Sequence, residues 1–473
     1  MTKVMMVSSE AAPFAKSGGL ADVLGALPSA LARHGIEASV VLPKYRGVHP
    51  EGIERIWDDL SVWINNFEHH TSIWRLHKNG VAFYFVDAPW FFDREGIYSS
   101  YGSDYGDNHL RFAVFSLAAL NIARLIVKPD IIHSHDWQAA LVPLYAKTWF
   151  GADPALTHVK HVFTIHNLGY QGRFAAEARH ELGIADYLFT AEGVEYHGDL
   201  NLMKGGIVAA DFVTTVSPTY AHEIQTPEHG FGLDGLLRHR STHLAGILNG
   251  VDYADWNPAT DRHLPANYTP EDLAGKAICR KALLEAFGFD EGVWHRPIIG
   301  IVSRFAEQKG FDLLHPIGDE LAASGATLLA LGSGEKHQEW IFHDLATRHH
   351  GNIRVWHGYN NPLAHLIEAG SDIFLMPSRY EPCGLNQIYS LKYGTPPIVR
   401  ATGGLDDTIE ETTGFKFGEY SPQALLNTIR WALECWKDRD AWIGRMQLGM
   451  AKDFSWDRSA ATYGALYDHV LGS

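Results

Sequence analysis

Residues 372–394 read DIFLMPSRYEPCGLNQIYSLKYG. An apolar run of strand length breaks into Arg379, Glu381, Cys383 and Gly384, and a helical pattern resumes after them. A charged loop at the carboxyl end of a buried strand is either a solvated turn or, in an open α/β sheet, a wall of the ligand crevice. The same cadence recurs along the chain. KVMMVS, EASVVLP, PDIIHS, KHVFTIH, DFVTTVS and LAGILNG in the first half, and PIIGIVS, ATLLALGS, NIRVWHG, DIFLMPS, PPIVRAT and TGFKFG in the second, alternate with amphipathic segments of helix length. That alternation predicts βαβ units and an α/β fold, with enough strands in each half for its own doubly wound parallel sheet.

The stretch VDYADWNPATDRHLPANYTPEDLAG, residues 251–275, is rich in Asp, Asn and Pro and lacks a sustained apolar period. It reads as a linker, which puts a first domain at 1–249 and a second at 250–455. Within TSIWRLHKNGVAFYFVDA, residues 71–88, Asn79-Gly80 between two alternating segments predicts a β-hairpin decorating the first domain. The composition, 46% hydrophobic and 20% charged over 473 residues, is that of a globular chain. With 39 basic against 55 acidic side chains the formal charge is −16, which disfavours nucleic acid and anionic membrane as partners. Cys279, Cys383 and Cys435 have no CxxC spacing, so neither a disulfide framework nor a structural zinc site is indicated and a reducing, cytoplasmic location is expected. MTKVMMVSSE reaches Glu10 before a signal-peptide core could form. The longest apolar run, FAVFSLAALNIARLIV, is broken by Asn121 and Arg124, so no export or membrane anchor is expected.

Five loops carry candidate chemistry. In KSGGLADVLGALPSALARHG, residues 16–35, Gly18 and Gly19 open a helix whose N–H groups, with Lys16, could hold a diphosphate; a Gly-rich turn with a surface lysine is the alternative. In SRFAEQKGFDLL, residues 303–314, Arg304 and Lys309 follow a strand and could neutralise a leaving diphosphate, or serve in structural ion pairs. In SRYEPCGLNQ, the N–H groups of Gly384, Leu385 and Asn386 stand at a helix start and Glu381 can accept hydrogen bonds from hydroxyls, a combination suited to a sugar nucleotide. Cys383 there reads as a small residue set by packing, or as an activated thiol. PDIIHSHDWQAA, residues 129–140, puts His133 and His135 on one strand face beside Asp136, which also admits a metal-dependent hydrolase. FTIHNLGYQG, residues 163–172, ends a strand at His166, a hydrogen-bond donor to substrate or a satisfied core histidine.

KSGGL, HSHDWQA, FTIHNLGYQG, VSPTYAHEI, LNGVD, SRFAEQKG, RYEPCGLNQ, LKYGTPPIVRATGGLDDT and DFSW follow one another in an order and spacing that resembles bacterial glycogen synthases and plant starch synthases, glycosyltransferase family 5. The resemblance runs end to end. It implies the GT-B fold, two Rossmann-like domains facing across a cleft, with a C-terminal helix at 456–473 returning to the first. It further implies transfer of glucose from ADP-glucose to the non-reducing 4-OH of an α-1,4-glucan, with retention, no required metal, and closure about the linker to exclude water. By motif, Lys16, Arg304 and Lys309 would stabilise the diphosphate. Glu381 and the backbone of Cys383, Gly384, Leu385 and Asn386 would hold the donor, with Gly18, Gly19, Asp22, Thr402, Gly403 and Gly404 in the donor site. His166 and Asp136 would approach the sugar, and Tyr98 and Asn249 would contact the glucose or the acceptor. Two departures stand out: Tyr389 occupies the position eight residues after Glu381 where many retaining GT-B enzymes have a second glutamate, and Asn386 stands where many relatives have Thr. A UDP-glucose enzyme with a small acceptor is the nearest alternative.

Overall fold

The computed structural model describes residues 1–472. Each of the twelve strand candidates quoted above contains a strand, and the reason is visible in the second unit, formed by residues 217–220 and 251–455. Its strands are β10 (Ile298–Val302), β11 (Thr327–Gly332), β12 (Ile353–His357), β13 (Ile373–Met376), β14 (Pro397–Arg400) and β15 (Phe415–Phe417). Ile299, Ile301, Leu328, Ala330, Ile373 and Leu375 enter one core, while Ile298, Leu329, Leu331, Phe374 and Met376 enter the other. A period of two with both faces apolar is what a parallel sheet covered on both sides requires. Each Ile, Leu, Phe or Met among them contributes roughly 1.5–3 kcal/mol of burial. The six strands are all parallel, in the order β12-β11-β10-β13-β14-β15. The winding therefore reverses beside β10, between β10 and β13.

The first unit holds residues 1–216, 221–250 and the C-terminal stretch from Trp456. The nine strands of its main sheet are β1 (Lys3–Val7), β2 (Glu37–Pro43), β3 (Glu54–Ile64), β4 (Phe67–Lys78), β5 (Val81–Asp87), β6 (Ile131–His135), β7 (Lys160–Ile165), β8 (Phe212–Thr215) and β9 (Leu244–Gly246). They lie in the order β9-β8-β7-β6-β1-β2-β5-β4-β3, parallel as far as β5 and antiparallel beyond it. Here the winding reverses between β1 and β6. The hairpin forms at Asn79 (φ 52°) and Gly80 (φ 78°), but it is no ornament, because its second strand, β5, pairs in parallel with β2 and extends the main sheet. β3 escaped the sequence pattern because most of its residues face solvent, among them the charged Glu54, Arg55, Asp58 and Asp59.

Two helices complete the first unit. Asn108–Ile122, continued by a wide turn over Ala123–Val127, is long and apolar enough by composition to span a membrane, yet most of it is buried inside this unit. A helix apolar on all sides is the expected core element of a large sheet domain. The C-terminal helix Trp456–Gly472 packs its Tyr463 and Tyr467 fully into the same unit, and Ser459 Oγ donates to the Leu248 carbonyl at 2.6 Å.

Residues 251–272 lack long regular elements, as their composition suggests, but they are not a loose tether. The Trp256 indole lies between His365 at 3.7 Å and Tyr389 at 4.1 Å, with interplanar angles of 9° and 7°. Buried Asp261 accepts from Tyr393 Oη at 2.6 Å and is 2.8 Å from His365 Nδ1, while Tyr268 Oη donates to the Tyr393 carbonyl at 2.7 Å. Stacking and paired polar groups clamp the segment to the second unit. Trp256→Ala is therefore expected to lower that unit's unfolding free energy by about 2–4 kcal/mol in urea denaturation, through lost area and ring stacking. A loss under about 0.5 kcal/mol would return the segment to linker status.

Candidate active site

In open parallel sheets, ligands collect at the carboxyl ends of the strands beside the winding reversal, because the flanking loops diverge there. In the second unit those ends carry the loops after β10 and β13. Backbone bonds stitch the two loops together. Arg379 N donates to the Gln308 carbonyl at 2.8 Å, and Gly310 (φ 71°) passes so close to Pro377 that a Cβ would sit 2.0 Å from its carbonyl oxygen. This joins Lys309 to Glu381: the ammonium lies 2.6 Å from Oε2, with side chains 19% and 7% exposed, and Ser378 Oγ donates to the same oxygen at 3.1 Å. Arg304 is exposed, and among the described residues its guanidinium enters no ion pair.

The loop continues through Cys383, buried, and Gly384, whose φ of 70° suits glycine. Gln387 Nε2 donates to the carbonyls of Cys383 and Gly384 at 3.0 and 3.1 Å, which orients the peptide planes from Cys383 to Leu385. Asn386 Nδ2 donates to the Val302 carbonyl at 2.6 Å, which ties this side chain to the end of β10. Thr402, Gly403 and Gly404 are buried and packed against the loop. Gly404 N donates to the Glu381 carbonyl at 3.1 Å, and a Cβ on Gly403 or Gly404 would lie 2.0 or 2.1 Å from the carbonyl oxygens of Glu381 or Cys383. Their glycine identity is a packing requirement of the loop. Tyr389 faces inward onto Trp256.

In the first unit the reversal brings together the loops after β1 and β6, with that after β7 alongside. Lys16 is 2.6 Å from Asp22 Oδ1, at the start of the helix Gly19–Arg33. The residue that organises this turn is Glu10, 3% exposed. Its carboxylate accepts from Ser17 N at 2.5 Å, Ser17 Oγ at 2.6 Å, Gly18 N at 3.2 Å and Tyr98 Oη at 2.6 Å. The N–H groups of Ser17 and Gly18 are thus occupied, and an anion at this turn would be met by the helix N–H groups that follow, from Gly19 onward. Gly18 itself has φ −155°, open to any residue, and a Cβ there would meet nothing within 4 Å. Nothing in the unit demands glycine at this position, which leaves room for something to approach its backbone. Glu10 was legible as an acid directly after β1, but its role depends on the turn folding back. Asn249 is buried with its Oδ1 unpartnered among the described residues, a polar atom suited to receive a hydroxyl.

Asp136 sits at φ 57° and ψ −179°, a region costing roughly 1–3 kcal/mol for a residue with a side chain. Its Oδ1 accepts from His166 N at 2.7 Å, and burial pushes its carboxyl up to about 7 despite that bond. Strain of this kind gathers where function fixes a side chain. His166 Nε2 is 2.9 Å from His135 Nδ1. His133 is fully buried, with Nδ1 2.8 Å from Tyr467 Oη and Nε2 2.5 Å from Thr164 Oγ1. Both of its nitrogens are committed, so the histidine pair on β6 is not an open ligand set, and no metal-holding group of three or more His, Cys, Asp or Glu occurs among the described residues.

Residues 3–239 match the family model described as starch synthase catalytic domain, and residues 291–447 match that of glycosyl transferases group 1. The chain is 50% identical over 473 residues to a glycogen synthase of Koribacter versatilis, covering 98% of this chain and 97% of the relative. A Myxococcus xanthus glycogen synthase is 47% identical, covering 99% of both. Among solved structures, the catalytic domain of starch synthase IV from Arabidopsis thaliana bound to ADP and acarbose superposes with a TM-score of 0.91 at 33% identity, covering 100% of this chain and 99% of that one. A sucrose-phosphate synthase of Thermosynechococcus elongatus, at TM-score 0.62 and 17% identity over the full length of both chains, shares the fold alone. With the GT-B architecture of two parallel-sheet units and full-length identity of this order, the chain belongs to the glycogen and starch synthase family of glycosyltransferases.

Proposed function

We propose that the chain transfers glucose from ADP-glucose to the non-reducing 4-OH of an α-1,4-glucan with retention at the anomeric carbon. The observation that carries this reading is the Lys309–Glu381 pair at the winding reversal of the second unit, a cation and a carboxylate held at 2.6 Å by stitched loops. The Arabidopsis relative, solved with ADP and acarbose, supports the choice of diphosphate and sugar. Rupture of the C1–O bond leaves positive charge on the sugar and negative charge on the diphosphate, so fixed cations on the leaving side lower the barrier. Lys16, Arg304 and Lys309 serve that purpose, which a metal ion serves in other enzymes.

Glu381 and the oriented backbone from Cys383 to Leu385 hold the glucosyl unit, while His166 and Asp136 approach it from the first unit. Gly19 and Asp22 line the donor site, and Tyr98 and Asn249 stand near the glucose or the acceptor. The departing phosphate takes the acceptor proton on the face it leaves, so no second carboxylate is needed as nucleophile. That agrees with Tyr389 lying stacked on Trp256 where a second glutamate would stand.

Nucleotide release from ADP-glucose, followed with and without glycogen in excess EDTA, tests the assignment. Glycogen-dependent release of ADP that survives the chelator, with an α-configured product, is expected; a β product, or activity with UDP-glucose and a small acceptor only, would overturn it. Lys309→Ala or Arg304→Ala should lower kcat by about 100-fold or more while changing KM for glycogen less than about threefold. Gly18→Ala should leave the unfolding free energy within about 0.5 kcal/mol and lower kcat/KM for ADP-glucose at least about tenfold, since a methyl there meets substrate and not protein. Cys383→Ser should keep at least roughly a third of wild-type turnover, because the main chain makes the contact at that position; inactivity of the folded variant would revive a thiol mechanism.

A further inference from the structure

Three imidazoles meet at the carboxyl ends of β6 and β7. His133 and His135 stack with centroids 4.2 Å apart, and His135 Nδ1 lies 2.9 Å from His166 Nε2. His133 is locked by a complete chain of bonds. Its Nδ1 lies 2.8 Å from Tyr467 Oη, its Nε2 lies 2.5 Å from Thr164 Oγ1, and Thr164 Oγ1 is in turn 2.5 Å from Thr214 Oγ1, so both ring nitrogens are engaged. Its ring, held in that plane, forms one wall against His135, which is itself fully buried. Burial holds all three rings neutral: it takes His133 and His166 down to about 3 and His135 well below the usual imidazole range.

Two neutral imidazoles sharing one N···N line have one proton between them, and only two arrangements are open. In the first, His135 carries its proton on Nδ1 and donates to His166, leaving its own Nε2 as a bare lone pair. In the second, His166 donates from Nε2, and His135 must carry a proton on its own Nε2. That Nε2 is buried and has no hydrogen-bond partner among the described residues. A buried N–H without an acceptor is rarer and more costly in proteins than an acceptor lone pair left unused, so the first arrangement is favoured. It puts the proton of His166 on Nδ1, the nitrogen His135 does not engage, on a ring that is only partly buried.

The geometry points to His135 as a positioning residue that fixes His166 as the Nδ1–H tautomer, making His166 a hydrogen-bond donor and not an acceptor toward the sugar. The second half of this inference rests on the proposed glucosyl transfer; the tautomer itself does not. A neutral donor suits a hydroxyl oxygen of the sugar, and unlike an imidazolium it adds no positive charge beside the developing oxocarbenium centre.

The test is imidazole 15N NMR on the full-length protein labelled at histidine, with the His166 signals identified by their loss in His166→Gln. The wild type should show the His166 proton on Nδ1. His135→Leu should release that preference, with Nε2–H now populated, and lower kcat/KM for transfer by about tenfold, the size of one lost hydrogen bond. His135→Asn, whose amide can donate to His166 from nearly the place of Nδ1, should restore both the tautomer and at least roughly a third of the activity. A wild-type His166 protonated on Nε2, or a tautomer indifferent to His135→Leu in a folded variant, would overturn the assignment. A tautomer that shifts as expected while transfer is untouched would overturn only the placement of His166 at the sugar.

Discussion

Each main sheet reverses its winding direction beside its first strand, and the candidate chemistry collects in the loops that flank this reversal. Between β10 and β13 the loops carry Arg304, Lys309 and Glu381, and between β1 and β6 they carry Glu10, Lys16 and Asp136. Parallel strands put all their carboxyl ends on one edge, and consecutive crossovers fill that edge except where the order turns back. Sheet order therefore decides where a ligand can go. The apolar faces of the strands serve mainly to hold that order.

At both reversals an exposed or half-exposed charge is held by an opposite one. Lys16 rests on Asp22 and Lys309 on Glu381, at 2.6 Å each, while Glu10 gathers Ser17, Gly18 and Tyr98 around a buried carboxylate. Pairing keeps the lysines oriented and limits the cost of carrying charge in a partly desolvated place. On the proposed glucosyl transfer, an arriving diphosphate would compete with a carboxylate for its cation. Binding would then be an exchange of partners, with a smaller net gain than free cations would give but with geometry fixed beforehand.

The sequence carried the sheet strands because runs such as IIGIV and IFLM are apolar on both faces and cannot be left in water. It did not carry β3, whose pattern is mostly exposed, nor the attachment of residues 251–272, which depends on Trp256 meeting His365 and Tyr389 from more than a hundred residues away. The cations Lys16, Arg304 and Lys309 were legible from their place just past strands. The pairing of Lys16 with Asp22 and of Lys309 with Glu381 was not, since each depends on how the folded loops bring the two charges together. At Gly403 and Gly404 a glycine pair near a strand end suits a ligand or a close backbone equally well, and the carbonyl oxygens of Glu381 and Cys383 take the space a Cβ would need. His135 was read with His133 as a possible metal pair because strand alternation fixes a shared face but says nothing of which partner each nitrogen finds.

Partner exchange at Lys309 is the centre of this account, and calorimetric titration of ADP into wild type and Glu381→Gln measures it directly. If Glu381 holds Lys309 until the diphosphate takes it, removing the carboxylate charge frees the ammonium, and ADP should bind several-fold more tightly while glucosyl transfer collapses. Weaker ADP binding in the folded variant would contradict the account, since Glu381 would then be required to present Lys309 to the nucleotide and not to restrain it.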